Sequence, residues 1–249
     1  MIDSPQNPKL VEKTIDKIAQ VIFSAQIDRA ETLEIHVSAD TDRITSGTVD
    51  GLELNADGVV VSSNVSMASF AIRLQTFSIN PLKAVVGNVE LQEPTQGSIQ
   101  MVLNNRNIAY VLRSKKVLDF LHEKETIVKG IDAKSVSIDA VDCQLAEGGA
   151  LSVQMTYGIE NRDEPIQIDL QTQLEFIPDE GAITFRDTQI KTDGDLSQKL
   201  AEFTVAQTWK FINLKYMEIE GVSLEIDRVK FQASKLSISA QVYVIKIPD

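Results

Sequence analysis

The chain has 249 residues, a formal net charge of -12, 43% hydrophobic residues and 24% charged residues. That balance is ordinary for a folded globular chain and excludes a disordered one. The acidic excess argues against nucleic acid as a partner and against electrostatic docking on an anionic bilayer, since both rest on Lys and Arg.

Pro8 opens the first predicted helix, which runs from about 9 to 29. Leu10, Val11, Ile15, Ile18, Ala19 and Ile22 form one apolar stripe at helical spacing, and Pro8 suits the first turn, where its missing N–H is not needed. The period then changes to two. Leu33, Ile35 and Val37 alternate with polar residues, and 40–43 reads as a turn. Val49, Leu52 and Leu54 continue in a second strand with a bend at Asp50-Gly51, and 55–58 reads as another turn. Val59–Ser63 is a short apolar strand. Phe70, Ile72 and Leu74 alternate, Val85 to Leu91 is a run bounded by Pro81 and Pro94, and Ile99, Met101 and Leu103 alternate again. This succession of hairpins predicts an antiparallel sheet with one wet face.

A second helix is expected from Asn105 to before Thr126, with Asn104 or Asn105 as its cap and Ile108, Val111, Leu112, Leu118 and Leu121 on one side. Strands return at Val136 and Ile138. Leu151, Val153, Met155, Tyr157 and Ile159 alternate strictly after a turn at 147–149. Ile166, Ile168, Leu170, Leu174 and Phe176 follow, and Pro178-Asp179-Glu180-Gly181 is a turn before Ile183 and Phe185. A third helix is predicted over about 195–212, where Leu196, Leu200, Phe203, Val205, Ala206, Trp209 and Ile212 spread over a wide arc. The chain ends in strands through Val222, Leu224 and Ile226 and through Leu236 to Val244, with a bulge expected at Gly221.

The fold class is therefore α+β: a long curled antiparallel β-sheet with about three amphipathic helices as its cover, in a single domain over 1–249. Strands of nine to eleven residues span roughly 30 Å, and their dry face must be covered. Aliphatic helices against an aliphatic sheet make either an ordinary core or an apolar slot that an acyl chain fills. The same residues serve both, so sequence does not separate the two.

Catalytic chemistry is not legible. The two histidines, His36 and His122, read as solvated or structural, and no His or Cys pair has the spacing of a zinc site. Glycine-rich phosphate loops and nucleophile elbows are absent. Asp40-Thr41-Asp42 and Asp193-Gly194-Asp195 read as turns, because neither has the ligand spacing of a calcium loop. Cys143, the one cysteine, allows no internal disulfide and has no cation beside it in sequence to activate it. Arg113, Lys115 and Lys116 are the one dense basic cluster and read as a solvated helix face. An enzyme is not expected, nor a metal or a cofactor. A lipid hydrolase would need carboxylates that converge in space. Met1–Asn7 has no signal-like pattern and no run approaches a membrane helix. The chain as written is therefore expected to be soluble and cytoplasmic, with peripheral membrane association left open.

Three stretches carry a family resemblance: LEIHVSADTDRITSGTVDGLELNADGVVVSS (33–63), FAIRLQTFSINPLKAVVGNVELQEPTQGSIQMVLNNRNIAYVL (70–112) and FINLKYMEIEGVSLEIDRVKFQASKLSISAQVYV (211–244). With these the chain resembles the LmeA-type phospholipid-binding proteins, including their cyanobacterial members. It departs from them where NNRNIAYVL stands in place of an acidic helix start. The resemblance implies a fold similar to the tubular lipid-binding superfamily, in which a curled sheet wraps around long helices. It also implies non-enzymatic binding of phospholipid or another acyl-chain lipid, with transfer as an extension of binding and with transient membrane contact. The lining positions expected on that reading are Ile15, Ile18, Ile22, Leu112, Leu118, Leu200, Phe203 and Trp209. The alternative is a protein-interaction scaffold with a closed core and an acidic surface.

Overall fold

The computed structural model describes residues 27–40, 43, 46–61, 65–80, 90–123, 126–128, 131–192, 194–212 and 221–246. The first predicted helix lies almost entirely outside them. Where its end was expected, Ile27–Arg29 is instead a strand, β1, hydrogen-bonded to Val60 and Val61. Ladder bonds available at that sheet edge outweigh a weak helical preference.

Strands dominate, all paired antiparallel. The expected sheet is divided into a seven-stranded and a four-stranded sheet plus two short ladders, and both large sheets are open among the described residues. In the larger, β1 and β2 (Thr32–Ser38) share one edge of β4 (Gly51–Val61). Then follow β5 (Val65–Leu74), β7 (Thr95–Asn104), β15 (Lys235–Val244) and β14 (Val222–Gln232). The smaller is a meander of β10 (Val136–Leu145), β11 (Ala150–Ile159), β12 (Ile166–Ile177) and β13 (Ala182–Lys191). β3 (Thr48–Val49) pairs with β6 (Phe77–Ser78), and β8 (Thr126–Val128) with β9 (Ile131–Asp132). The smaller sheet is thus spliced between β7 and the C-terminal hairpin, which returns to the first sheet.

The turn expected at 55–58 does not form. β4 runs straight through it, because the residues pair with β5 on one side while the other edge changes partner from β2 to β1. Gly58 sits at that change with φ +57, and a Cβ there would meet the Glu31 side chain at 2.5 Å. The bulge expected at Gly221 lies instead inside β14, between Ile226 and Arg228. Gly221 precedes the strand, and its carbonyl accepts from the Ile245 and Lys246 amides.

The second helix is two. α1 (Asn105–Leu112) and α2 (Lys115–His122) are separated at Arg113-Ser114. Asn104 caps α1 in a capping box with Asn107, and Ser114 restarts the helix by accepting from the Val117 amide. A second cap inside an apolar periodic run turns one helix into a bent pair. The third, α3 (Gly194–Ile212), forms where expected.

Alternation is what builds the core. Ile99, Met101 and Leu103 on β7, Leu236 to Val244 on β15, and Leu151 to Ile159 on β11 bury every second side chain. One connected cluster of buried side chains draws on both sheets and on all three helices. α1 packs on β5 and β7 of the larger sheet and on β10 of the smaller, while α3 packs on β12, β13 and α1. Each fully buried Leu or Ile in that cluster contributes about 1.5–3 kcal/mol.

Candidate functional site

α3 presents a wide buried arc, as its sequence predicts, but the arc is not wholly apolar. Leu200, Ala201 and Phe203 are buried beside Ser197, Thr204, Gln207 and Thr208. Counted from Thr204 the other polar residues lie seven, three and four positions away, so they form one stripe along the helix. The Thr204 hydroxyl donates to the Leu200 carbonyl at 2.8 Å, and the Thr208 hydroxyl donates to the Thr204 carbonyl at 2.8 Å. With its own proton so used, Thr204 accepts from the Tyr157 phenol of β11 at 2.8 Å. Tyr157 is fully buried, and burial pushes its phenol far above the usual range, with the Thr204 hydrogen bond acting weakly the other way. Gln207 Oε1 is buried without a partner among the described residues. An orphan carbonyl of that kind costs about 1–3 kcal/mol until a donor reaches it.

Two grooves open on the surface around the smaller sheet. The first, about 550 Å³, lies where the two sheets meet. Asn105 closes that junction. Its Oδ1 accepts from the Leu145 amide at 3.0 Å and its Nδ2 donates to Ser234 Oγ at 3.3 Å, while the Ser234 amide donates to the Leu145 carbonyl at 2.7 Å. Asn105 therefore joins the sheets, and the helix cap belongs to Asn104. Cys143 borders this groove from the buried side; burial pushes its thiol up to about 12, and the charge of Asp142 adds to the shift. Such a thiol is a poor nucleophile.

The second groove, about 610 Å³, lies between α2, the 133–135 turn and the 160–165 turn. Leu118, Val136 and Ile159 contribute its apolar lining, and Lys134, Arg162 and Asp139 are among its charged walls. His122 ends α2 there, with Nε2 2.9 Å from the Val136 carbonyl.

Other readings resolve simply. His36 points outward on β2. Asp50 pairs with Arg43 and accepts from the Asp40 amide at 2.8 Å, so this carboxylate organises the turn before it. In the basic cluster, Lys115 is paired with Asp119 at 2.6 Å. No Asp or Glu is buried among the described residues, and none of them forms with His or Cys a group of three or more suited to a metal ion. No helix among them is long and apolar enough to cross a membrane.

A family model described as LmeA-like phospholipid-binding matches residues 14–241, nearly the whole chain. The chain belongs to this family. No curated protein and no solved structure gives a match.

Of the positions expected to line a lipid site in an LmeA-like chain, Ile15, Ile18 and Ile22 lie outside the described residues. Leu112, Leu200 and Phe203 come together in the shared cluster, with 1%, 0% and 7% of their surface exposed. Leu118 is half-buried at the second groove, and Trp209 is half-buried further along α3. The polar stripe of α3 was not anticipated, although S-x-x-L-A-x-x-T-x-x-Q-T carries it at helical spacing. The grooves have no sequence signal, because their walls come from turns far apart in the chain.

Proposed function

We propose that this protein binds a phospholipid, or a similar acyl-chain lipid, without catalysing a reaction on it. Membership of the LmeA-like phospholipid-binding family over 14–241 carries the reading. In this reading the acyl chain lies along the buried arc of α3, against the inward faces of β11 and β12, with Leu200, Phe203 and Trp209 on the helix side and Leu112 and Leu118 nearby. Ile15, Ile18 and Ile22 are further candidates for the lining, the whole chain acting as one lipid-binding domain. Burial of the chain supplies about 0.8 kcal/mol per methylene.

One feature supports the placement: Gln207 Oε1, on the buried arc of α3, has no donor among the described residues. A lipid hydroxyl or amide N–H, or a water carried in with the lipid, supplies one. Transfer between membranes follows if loading and unloading occur at bilayers.

The test is uptake of a phospholipid with a fluorescent acyl chain from vesicles, followed by separation of protein from vesicles. Co-migration of one or two labelled lipids per chain is expected. Absence of label from the protein fraction, with the protein shown to be folded, refutes the proposal.

A further inference from the structure

The second groove has the chemistry of a headgroup site, and we infer that it takes the net-neutral, zwitterionic phospho-amine head of a lipid in preference to an anionic one. The inference rests on the lipid-binding reading above and adds to it the class of headgroup and its place.

Three observations converge on this groove. First, its apolar residues adjoin the proposed acyl site. Val136 and Ile159 line the groove and belong to the core. Ile159 is the next inward-facing position on β11 after Tyr157, which bonds to Thr204 of α3. Two residues along a strand are about 6.6 Å apart, so Ile159 at the groove and Tyr157 under α3 are neighbours on one face of β11.

Second, the walls carry both signs of charge, and among the described residues those charges are not spent on each other. Lys134 and Arg162 stand with Asp139, Glu160 and Asp163 around the opening. None of the five makes an ion pair with another described residue, and Asp139 accepts from the Ser137 hydroxyl at 2.7 Å. A phosphate offers acceptors alone and needs the two cations, with the guanidinium able to bind in a fork. An ammonium offers donors alone and needs the carboxylates. Among the described residues of the lining, two permanent cations against three carboxylates leave no positive surplus for a headgroup with a net negative charge, whereas a zwitterion satisfies both sets.

Third, the walls are held in place. The Glu160 amide donates to the Ser135 carbonyl at 2.8 Å, which ties the two turns together across the groove. His122 is fixed by its contact with the Val136 carbonyl. Gly158 leaves room for the wall side chains beside it, since a Cβ there would come within 2.5 Å of Ser137 Oγ and 2.7 Å of the Asp139 carboxylate.

The experiment uses the full chain and tail-labelled lipids with identical acyl chains: phosphatidylethanolamine as the zwitterion and phosphatidylglycerol as the anion, both offered in neutral micelles. Wild type should take up the zwitterion preferentially. Lys134→Glu with Arg162→Glu should lower that uptake about five- to tenfold, the scale of one or two exposed ion pairs. Glu160→Lys with Asp163→Lys should raise anion uptake until the preference reverses. Asp179→Lys with Glu180→Lys, the same charge change on the exposed turn after β12, should leave it unchanged. All four substituted walls are exposed, and Trp209 fluorescence checks that each variant folds. Equal uptake of both lipids by wild type, or a preference that the two groove variants leave unmoved, overturns the headgroup inference while lipid binding stands. No uptake of either lipid overturns both.

Discussion

Replacing Thr204 by Val should destabilise the protein more than replacing Tyr157 by Phe, although both changes remove the same hydrogen bond. In Thr204→Val the Tyr157 phenol stays buried and loses its acceptor. Among the described residues only Met155 Sδ remains within reach, at 3.7 Å, and a thioether accepts weakly. The cost is that of a buried unsatisfied donor, about 1–3 kcal/mol. In Tyr157→Phe the Thr204 hydroxyl still donates to the Leu200 carbonyl at 2.8 Å, so nothing is orphaned and the cost is about 0.5–1.5 kcal/mol. With Phe in place, Thr204→Val removes only a back-bond of small worth. The double variant should therefore lie close to Tyr157→Phe, well short of additivity. Urea denaturation followed through Trp209, the one tryptophan and a residue of α3 itself, reads all four proteins on the helix concerned. If Tyr157→Phe costs as much as Thr204→Val, or the pair adds within about 0.5 kcal/mol, then the donor direction assigned here is refuted.

The remaining predictions come from the same interior. The native state holds the Tyr157 phenol neutral above its ordinary value of 10.0, so that contribution is complete below about pH 10 and is lost as pH rises through the folded value; alkaline titration of stability should fall more steeply in wild type than in Tyr157→Phe. Cys143, raised to about 12, should resist an aromatic disulfide reagent at about pH 8 in the native state and react at once in denaturant; fast native labelling would contradict its burial. Asn105→Ala removes a bond to the Leu145 amide at the junction of the sheets and should cost about 1–3 kcal/mol, whereas a surface-like effect near zero in urea melts would show the junction to be solvated. Leu200→Ala at a fully buried position should cost about 2–5 kcal/mol, and bound lipid should reduce that cost if an acyl chain lies against the helix.

Much of the fold was legible because a strand with one wet face writes its burial directly into the sequence. β7, β11, β12 and β15 all bury the residues that alternation selects. Pairing is a different matter. Nothing within Gly51–Val61 announces that its outer edge serves two partners, so Gly58 read as a turn when it marks a change of neighbour. The division into two sheets was hidden for the same reason, since it depends on which strand β15 meets. In α1 and α2 the apolar stripe continued across Ser114 while the backbone did not, and a cap outweighed periodicity. On α3 the apolar arc concealed Thr204 and Thr208, whose hydroxyls are met by Tyr157 of β11 and by carbonyls within the helix, and Gln207, whose Oε1 finds no donor among the described residues; no local pattern specifies any of this. The lining positions Leu112, Leu200 and Phe203 were found as buried aliphatic or aromatic faces; the charges around Leu118 were not, because Lys134 and Arg162 meet there only through the turns that carry them.

The most direct test of lipid binding is native mass spectrometry of the protein purified without detergent, paired with organic extraction of the same sample. The account predicts a mass surplus equal to one or two phospholipids, removed by collisional activation and recovered in the extract. A spectrum of the bare 27.5 kDa chain with no lipid in the extract, and none acquired after incubation with vesicles, would contradict it.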